Sequence, residues 1–171
     1  RPYIGDRPTF APLPEQFPAW PHLPLLWAPA PRLHLPAPVV GVVENRGEAG
    51  GRRFLRFSVS SRRGARALNV HVPAGRVLEA WVDGRPVHVA RSVPPGKRSW
   101  VPVGWFLDYA NPAPEGVDVR LLLEGAGRCR VTVTDQSSGM PPAPPSSVIR
   151  PAHAVGIHDG DLTMVVQTFD L

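Results

Sequence analysis

The stretch from Trp105 to Pro141 constrains the fold most, because it alternates short β-type segments with turn residues. It reads WFLDYANPAPEGVDVRLLLEGAGRCRVTVTDQSSGMP. Valine, leucine and threonine recur at alternate positions, which favours strands with two distinct faces. The Pro/Gly clusters between them favour turns. We therefore predict three strands separated by short turns and followed by a Ser/Gly/Pro loop.

The same period of two occurs through most of the chain. Leu68, Val70 and Val72 alternate with Asn69 and His71, which predicts one buried face and one face in water. No segment shows a period of 3.6 with helix caps. We predict strands near 39–44, 53–60, 66–72, 76–82, 85–90, 99–109, 117–124, 128–135 and 161–169. The fold class is therefore all-β, an antiparallel β-sandwich of eight or nine strands, with a closed barrel as second choice.

A β-hairpin is predicted at Asp83-Gly84. Such a two-residue loop favours a type I′ turn, because both positions need positive φ. The turn sets the register of the two strands, so that Val82 faces Arg85. One face then carries the expected core residues Leu78, Ala80, Val87 and Val89, and the other carries Glu79, Trp81, Pro86 and His88.

Trp105 is the strongest candidate for a core aromatic residue. In a strand over 99–109 it shares a face with Val101, Val103, Leu107 and Tyr109. Trp100 has the opposite orientation, so the two tryptophans cannot enter the same core. We expect Trp105 to anchor the core of the sandwich.

Residues 1–38 form a Pro-rich segment, which we treat as a strap or linker before a domain at 39–171. Of the 23 prolines in the chain, 11 precede Val39. Proline at this density opposes helices and sheet ladders and favours extended or polyproline-II backbone. The segment also holds Phe10, Phe17, Trp20 and Trp27, so we expect it to lie across a protein surface. A polyproline ligand for an SH3-type module is the alternative.

The net charge of +5 does not indicate a nucleic-acid-binding protein. Only Lys97 among the 19 basic residues is a lysine, and the arginines are scattered along the chain. No nucleic-acid motif accompanies them. We expect a solvated basic surface and no nucleic-acid partner, with weak attraction to an anionic membrane surface as the alternative.

Two groups of nucleophilic side chains are expected to serve the fold. Cys129 shares a strand face with Val131 and Val133, which predicts a buried, inert thiol. Asp135, Ser137 and Ser138 lack the surroundings of a nucleophile elbow, and we expect them to bond their own turn backbone. The sequence thus predicts no catalytic residue and no cofactor.

The weak candidates for ligand contacts lie in two places. The sequence PAHAVGIHDGDL brings together residue types that bind divalent metals, although in a predicted loop their spacing says little about geometry. On the hairpin, an exposed aromatic residue could bind a sugar or a partner, although cover by the Pro-rich segment is the favoured alternative for it. The candidates are His153, His158, Asp159 and Asp161 for metal, and Trp81 and His88 for binding.

Five segments occur in an order that resembles one known family. They are SRRGARALNVHV, RVLEAWVDGRPV, GWFLDYANPAPEGVDVRLLLEG, TVTDQSSGMP and DGDLTMVVQTFDL. Their order is similar to that of the soluble region after the membrane helices in bacterial membrane-bound di-zinc aminopeptidase-like proteins of the aminopeptidase Y type. Met140 stands where that family usually has leucine, and residues 141–160 do not match.

The resemblance implies a non-catalytic accessory domain on the extracytoplasmic side of a multi-pass membrane protein. Its partners would be the peptidase and membrane portions of the same parent chain. The family's di-zinc motif of two histidines, three carboxylates and a glutamate base does not occur here, so no catalytic residue is transferred. A start at Arg1 rather than methionine fits a fragment of a longer protein. A carbohydrate-binding β-sandwich module is the alternative function.

Overall fold

A computed structural model describes residues 9–27, 33–73, 76–89, 102–139 and 162–171, and the regular elements in these ranges are all β-strands. All nine strands expected after residue 38 are present, several with slightly shifted ends. The strands are β1 (Thr9–Pro12), β2 (Pro24–Trp27), β3 (Val39–Glu48), β4 (Arg52–Ser60), β5 (Ala67–Val72), β6 (Val77–Val82), β7 (Arg85–Val87), β8 (Trp105–Ala110), β9 (Val117–Glu124), β10 (Arg130–Ser138) and β11 (Leu162–Asp170).

Two antiparallel sheets form the β-sandwich, which confirms the predicted fold class. The five-stranded sheet has the order β3-β4-β9-β6-β7, and the four-stranded sheet has the order β11-β10-β5-β8. A separate pair, β1-β2, is also antiparallel. The described residues contain no helix long and apolar enough to cross a bilayer.

The core lies between the inner faces of the two sheets. It follows from the period of two, because the alternate buried residues of the central strands β4 and β9 are apolar with the exception of Arg53. The largest side chains buried there are Leu55, Phe57, Leu68, Leu121 and Leu123, with seven valines around them.

The hairpin at Asp83-Gly84 has the predicted turn and register. Both residues have positive φ, 49° and 76°, and Ala80 pairs with Val87. The expected core position of Leu78 is wrong, since this side chain is 41% exposed. A β-bulge lies between Val77 and Glu79, and the extra residue reverses the alternation, so Val77 packs on the core instead.

Strand β8 begins at Trp105, later than predicted. Trp105 is 5% exposed, and Leu107 and Tyr109 pack against the core on the same face, as expected. Val103 is 47% exposed, so its predicted core position is wrong. It lies in a bend before Gly104, whose φ of 95° interrupts the strand alternation. Trp100 and Val101 lie outside the described residues.

The Pro-rich segment forms one short ladder, which the sequence did not predict. Strands β1 and β2 pair from Thr9 with Trp27 to Pro12 with Pro24. The ladder is only four residues long, and its prolines stand at the ends of the strands, where a missing N–H costs least. The proposed division of the chain at residue 38 stays a prediction.

The expectation that Asn69 and His71 on β5 face water is wrong. All six residues of β5 are buried, including Asn69 and His71, which point away from the core. The reason is local cover: residues 16–20 lie against the outer face of the four-stranded sheet. The polar alternation in β5 therefore marks a covered polar surface.

Gly116 permits a close approach of two backbones before β9. Its φ is +95°, and a Cβ atom at this position would overlap the carbonyl oxygen of Val59. Gly116→Ala should therefore lower the free energy of unfolding by about 1–3 kcal/mol, measured by urea denaturation. The control is Gly125→Ala, since Gly125 has a φ of +77° but open space around it. An equal decrease in the free energy of unfolding for both variants would show that the close approach to Val59 does not cause the destabilisation.

Candidate binding groove

The outer face of the four-stranded sheet carries a patch of polar side chains on three neighbouring strands. Asn69 on β5 donates to Asp108 on β8 at 2.8 Å. Gln136 on β10 in turn donates to the amide oxygen of Asn69. Thr132 and Thr134 lie beside them on β10 and are buried. A connected line of polar groups thus crosses β8, β5 and β10.

Residues 16–20 of the Pro-rich segment cover one side of this patch. The backbone N–H of Val103 donates to the carbonyl of Ala19 at 2.7 Å, and Ala19 is fully buried. The rings of Trp20 and Phe106 meet edge to face, with centroids 4.9 Å apart. The backbone bond of Ala19 and the aromatic contact of Trp20 therefore help to hold this part of the segment on the sheet.

A groove with a volume of about 460 Å³ remains between residues 16–20 and the sheet. This volume lies in the range of about 300–1,000 Å³ that is typical of small-molecule sites. We call it the strap groove. Its lining includes the polar line described above, the two aromatic rings, His71, Arg66 and Met164.

His71 is the titratable ring in the strap groove. Its Nε2 lies 2.7 Å from the carbonyl oxygen of Val103, so Nε2 carries the proton in the neutral ring and Nδ1 is an acceptor. Burial lowers the pKa of His71, and the hydrogen bond to Val103 opposes this only in part. His71 is therefore uncharged at neutral pH.

The lowered pKa of His71 predicts a loss of stability in mild acid. Below about pH 6.5 the unfolded chain binds a proton at His71 that the folded chain does not bind, so the free energy of unfolding decreases until the pH reaches the lowered pKa. Urea midpoints should decrease as the pH is lowered through about 6.5, and His71→Gln should reduce this decrease.

His88→Gln is the matched control, because His88 is exposed. It should leave the pH dependence of the urea midpoint as in the wild type. If His71→Gln and His88→Gln gave the same pH dependence, the burial of an uncharged His71 would not be its cause.

A buried ion pair lies at one end of the sandwich. Asp135 on β10 is fully buried and accepts hydrogen bonds from Ser61 Oγ and Arg63 Nη2. Arg63 also donates to Ser137 Oγ at 3.0 Å. The expectation that Asp135 and Ser137 bond their own turn is wrong, because β10 extends to Ser138 and both side chains bind the distant 61–63 turn.

Cys129 is buried, as predicted, and its surroundings make it unreactive. Its backbone N–H and carbonyl both pair with Leu171. Burial raises the pKa of its thiol, although Arg76 and Arg53 lie close enough to oppose this. Since the thiolate is the reactive form, Cys129 is a poor nucleophile.

The two hairpin candidates for binding lie away from the strap groove. Trp81 is half-buried on the outer face of the five-stranded sheet, where it is in register with Pro86 on β7 and Arg120 on β9. His88 follows β7 and is exposed. Residues 16–20 line the groove on the other sheet, and the expected cover of Trp81 by the Pro-rich segment stays a prediction.

The predicted metal ligands cannot be compared with the structure. His153, His158, Asp159 and Asp161 all lie outside the described residues. Within the described ranges, no three His, Cys, Asp or Glu side chains come together as a group that could hold a metal ion.

Sequence reasoning missed the strap groove because residues far apart in the chain form it. The alternation of Asn69 and His71 in β5, and of Thr132, Thr134 and Gln136 in β10, was the visible signal. This signal identified the outer faces of the two strands. It did not show that the strands are neighbours in one sheet, or that residues 16–20 lie over them.

Comparisons with models of known protein families, with curated proteins and with solved structures give no match for this chain.

Proposed function

We propose that this chain is a non-catalytic accessory domain of a membrane-anchored zinc aminopeptidase-like protein. One observation carries the proposal. Two segments that resemble the family, SRRGAR and TDQSSG, meet in the buried contact between Arg63 and Asp135. Motifs that are distant in sequence and in contact in the fold support the interpretation that they specify one domain structure.

The chemistry of the conspicuous side chains supports a non-catalytic role. Asp135 has no exposed surface, and its oxygens are occupied by Ser61 and Arg63. Cys129 is equally inaccessible. A nucleophile or general base must reach its substrate within hydrogen-bond distance, which these two residues cannot do in the folded domain. Under the proposal, the parent's peptidase portion carries the catalysis and this domain contacts the peptidase and membrane portions on the extracytoplasmic side.

The proposed location can be tested with the product of the complete gene, tagged next to residue 171. Trypsin added to intact spheroplasts should degrade the tagged domain, while a cytoplasmic marker protein stays intact. The tagged protein should also remain in the membrane pellet after alkaline carbonate extraction. A tagged domain that is released into the soluble fraction, or that is protected inside intact spheroplasts, would contradict the proposal.

We predict that the purified chain alone has no aminopeptidase activity. Aminoacyl fluorogenic substrates should be hydrolysed at the background rate with and without added zinc, because the family's di-zinc motif does not occur in this sequence and the described residues contain no group of three His, Cys, Asp or Glu side chains that could hold a metal ion. A known di-zinc aminopeptidase serves as the positive control. Zinc-dependent hydrolysis that persists through a second, different purification would refute this prediction.

A further inference from the structure

We infer that the strap groove binds a small neutral saccharide. This function is additional to the accessory role and does not depend on the identity of the parent protein. The groove combines two features that sugar recognition requires: a line of neutral and charged polar groups at its base and aromatic rings at its side.

The polar line offers both donors and acceptors to a ligand. Asn69 uses one N–H for Asp108 and one lone pair for Gln136, which leaves its second N–H and second lone pair. The hydroxyl group of Thr134 can donate or accept, and that of Thr132 keeps acceptor capacity beside the hydrogen bond that it shares with the Thr168 hydroxyl at 3.1 Å. A sugar hydroxyl also donates and accepts, so a row of hydroxyl groups matches this mixed surface better than a ligand that only donates or only accepts.

The charges that line the strap groove favour a neutral ligand. Among the described lining residues, Arg66 is cationic and Asp108 is anionic, so their charges offset each other. His71 is uncharged at neutral pH because it is buried. A site for a phosphate or carboxylate ligand usually has an excess of positive charge, supplied by several arginines or lysines.

The aromatic side of the groove suits the apolar face of a sugar ring. The ring planes of Trp20 and Phe106 meet at 67°, and the backbone bond between Val103 and Ala19 anchors this contact. Their rings can pack on the C–H groups of a pyranose while its hydroxyls face the polar line. An aromatic side chain held in place also loses little conformational entropy on binding.

A peptide that binds by strand addition does not fit this site. Strand addition needs the free backbone groups of a sheet edge. The groove lies over the face of β10, β5 and β8; β10 and β5 are paired on both sides, and of the three only β8 is at the edge of the sheet. Side chains therefore supply most of the available hydrogen bonds, which again fits a polyhydroxylated ligand.

Isothermal titration calorimetry can test the inference with a panel of neutral sugars. The panel comprises glucose, galactose, mannose, N-acetylglucosamine, maltose, cellobiose and chitobiose, with glucuronate and inorganic phosphate as charged probes. At least one neutral sugar should bind with a Kd of about 1 mM or tighter. Failure of every neutral sugar, or binding of the charged probes alone, would overturn the inference.

Variants locate the binding site. Thr134→Val removes a hydroxyl group from the base of the groove but keeps a β-branched side chain suited to a strand. Trp20→Ala removes one aromatic ring. Each should weaken binding of the sugar about tenfold or more.

The matched control is Trp81→Ala, because Trp81 is an aromatic residue on the outer face of the other sheet. It should leave the sugar affinity unchanged. If Trp81→Ala abolished binding while Thr134→Val and Trp20→Ala did not, the sugar site would lie on the five-stranded sheet and the inference would be wrong.

Discussion

Trp105→Ala is expected to lower the free energy of unfolding by about 3–5 kcal/mol. Trp105 is nearly completely buried and belongs to the cluster of core side chains between the two sheets. Its removal leaves a large cavity at the start of β8, where Val72 is its register partner. A domain of ordinary stability, about 5–15 kcal/mol, would become marginal. Urea denaturation followed by far-UV circular dichroism measures the change.

Trp81→Ala provides the comparison for Trp105→Ala. Trp81 is half-buried on the outer face of the five-stranded sheet and leaves no enclosed cavity when truncated. Trp81→Ala should lower the free energy of unfolding by about 1–2 kcal/mol. A larger loss of stability for Trp81→Ala than for Trp105→Ala would show that the assignment of strand faces is wrong.

Asp135→Asn is the second substitution with a large expected effect, about 3–5 kcal/mol of destabilisation. The side chain of Arg63 is 10% exposed, so loss of the carboxylate leaves a buried guanidinium without its counter-charge. The contact also joins residues 61–63 to β10, two segments that are distant in the sequence. Urea denaturation at neutral pH measures the effect.

Asp170→Asn is the control for Asp135→Asn. Asp170 pairs with Arg130 at 3.5 Å, but both side chains are more than half exposed. Such surface pairs contribute about 0–1 kcal/mol, so this substitution should be nearly neutral. The double variant Arg63→Met/Asp135→Leu should recover much of the stability lost in Asp135→Asn, since it removes both buried charges. If Asp135→Asn cost no more than Asp170→Asn, the ion pair would not stabilise the fold.

The strands could be predicted from sequence because their signals are local. The period of two in β4, β5 and β9 identifies the inward residues without knowledge of the partner strands. The Asp83-Gly84 turn fixes the hairpin register for a similarly local reason, the positive φ of both residues.

The errors arise where a local pattern is changed by its surroundings. The bulge beside Leu78 depends on the pairing of β6 with β9, which the sequence of β6 alone does not contain. The burial of Asn69 and His71 depends on residues 16–20, about fifty residues earlier in the chain. The role of Asp135 depends on a contact with Arg63, which is 72 residues away in the chain. Long-range contacts of this kind formed both the strap groove and the buried ion pair.

Isolation of the native polypeptide tests the central claim most directly. An antibody raised against residues 39–171 can capture the protein separately from the soluble fraction and from detergent-solubilised membranes of the source cells, and peptide mass spectrometry can then define its full length. We predict a membrane polypeptide whose additional peptides include a di-zinc aminopeptidase motif and several hydrophobic spans upstream of this domain. A captured protein from the soluble fraction, with no peptide that belongs to a peptidase, would contradict the claim.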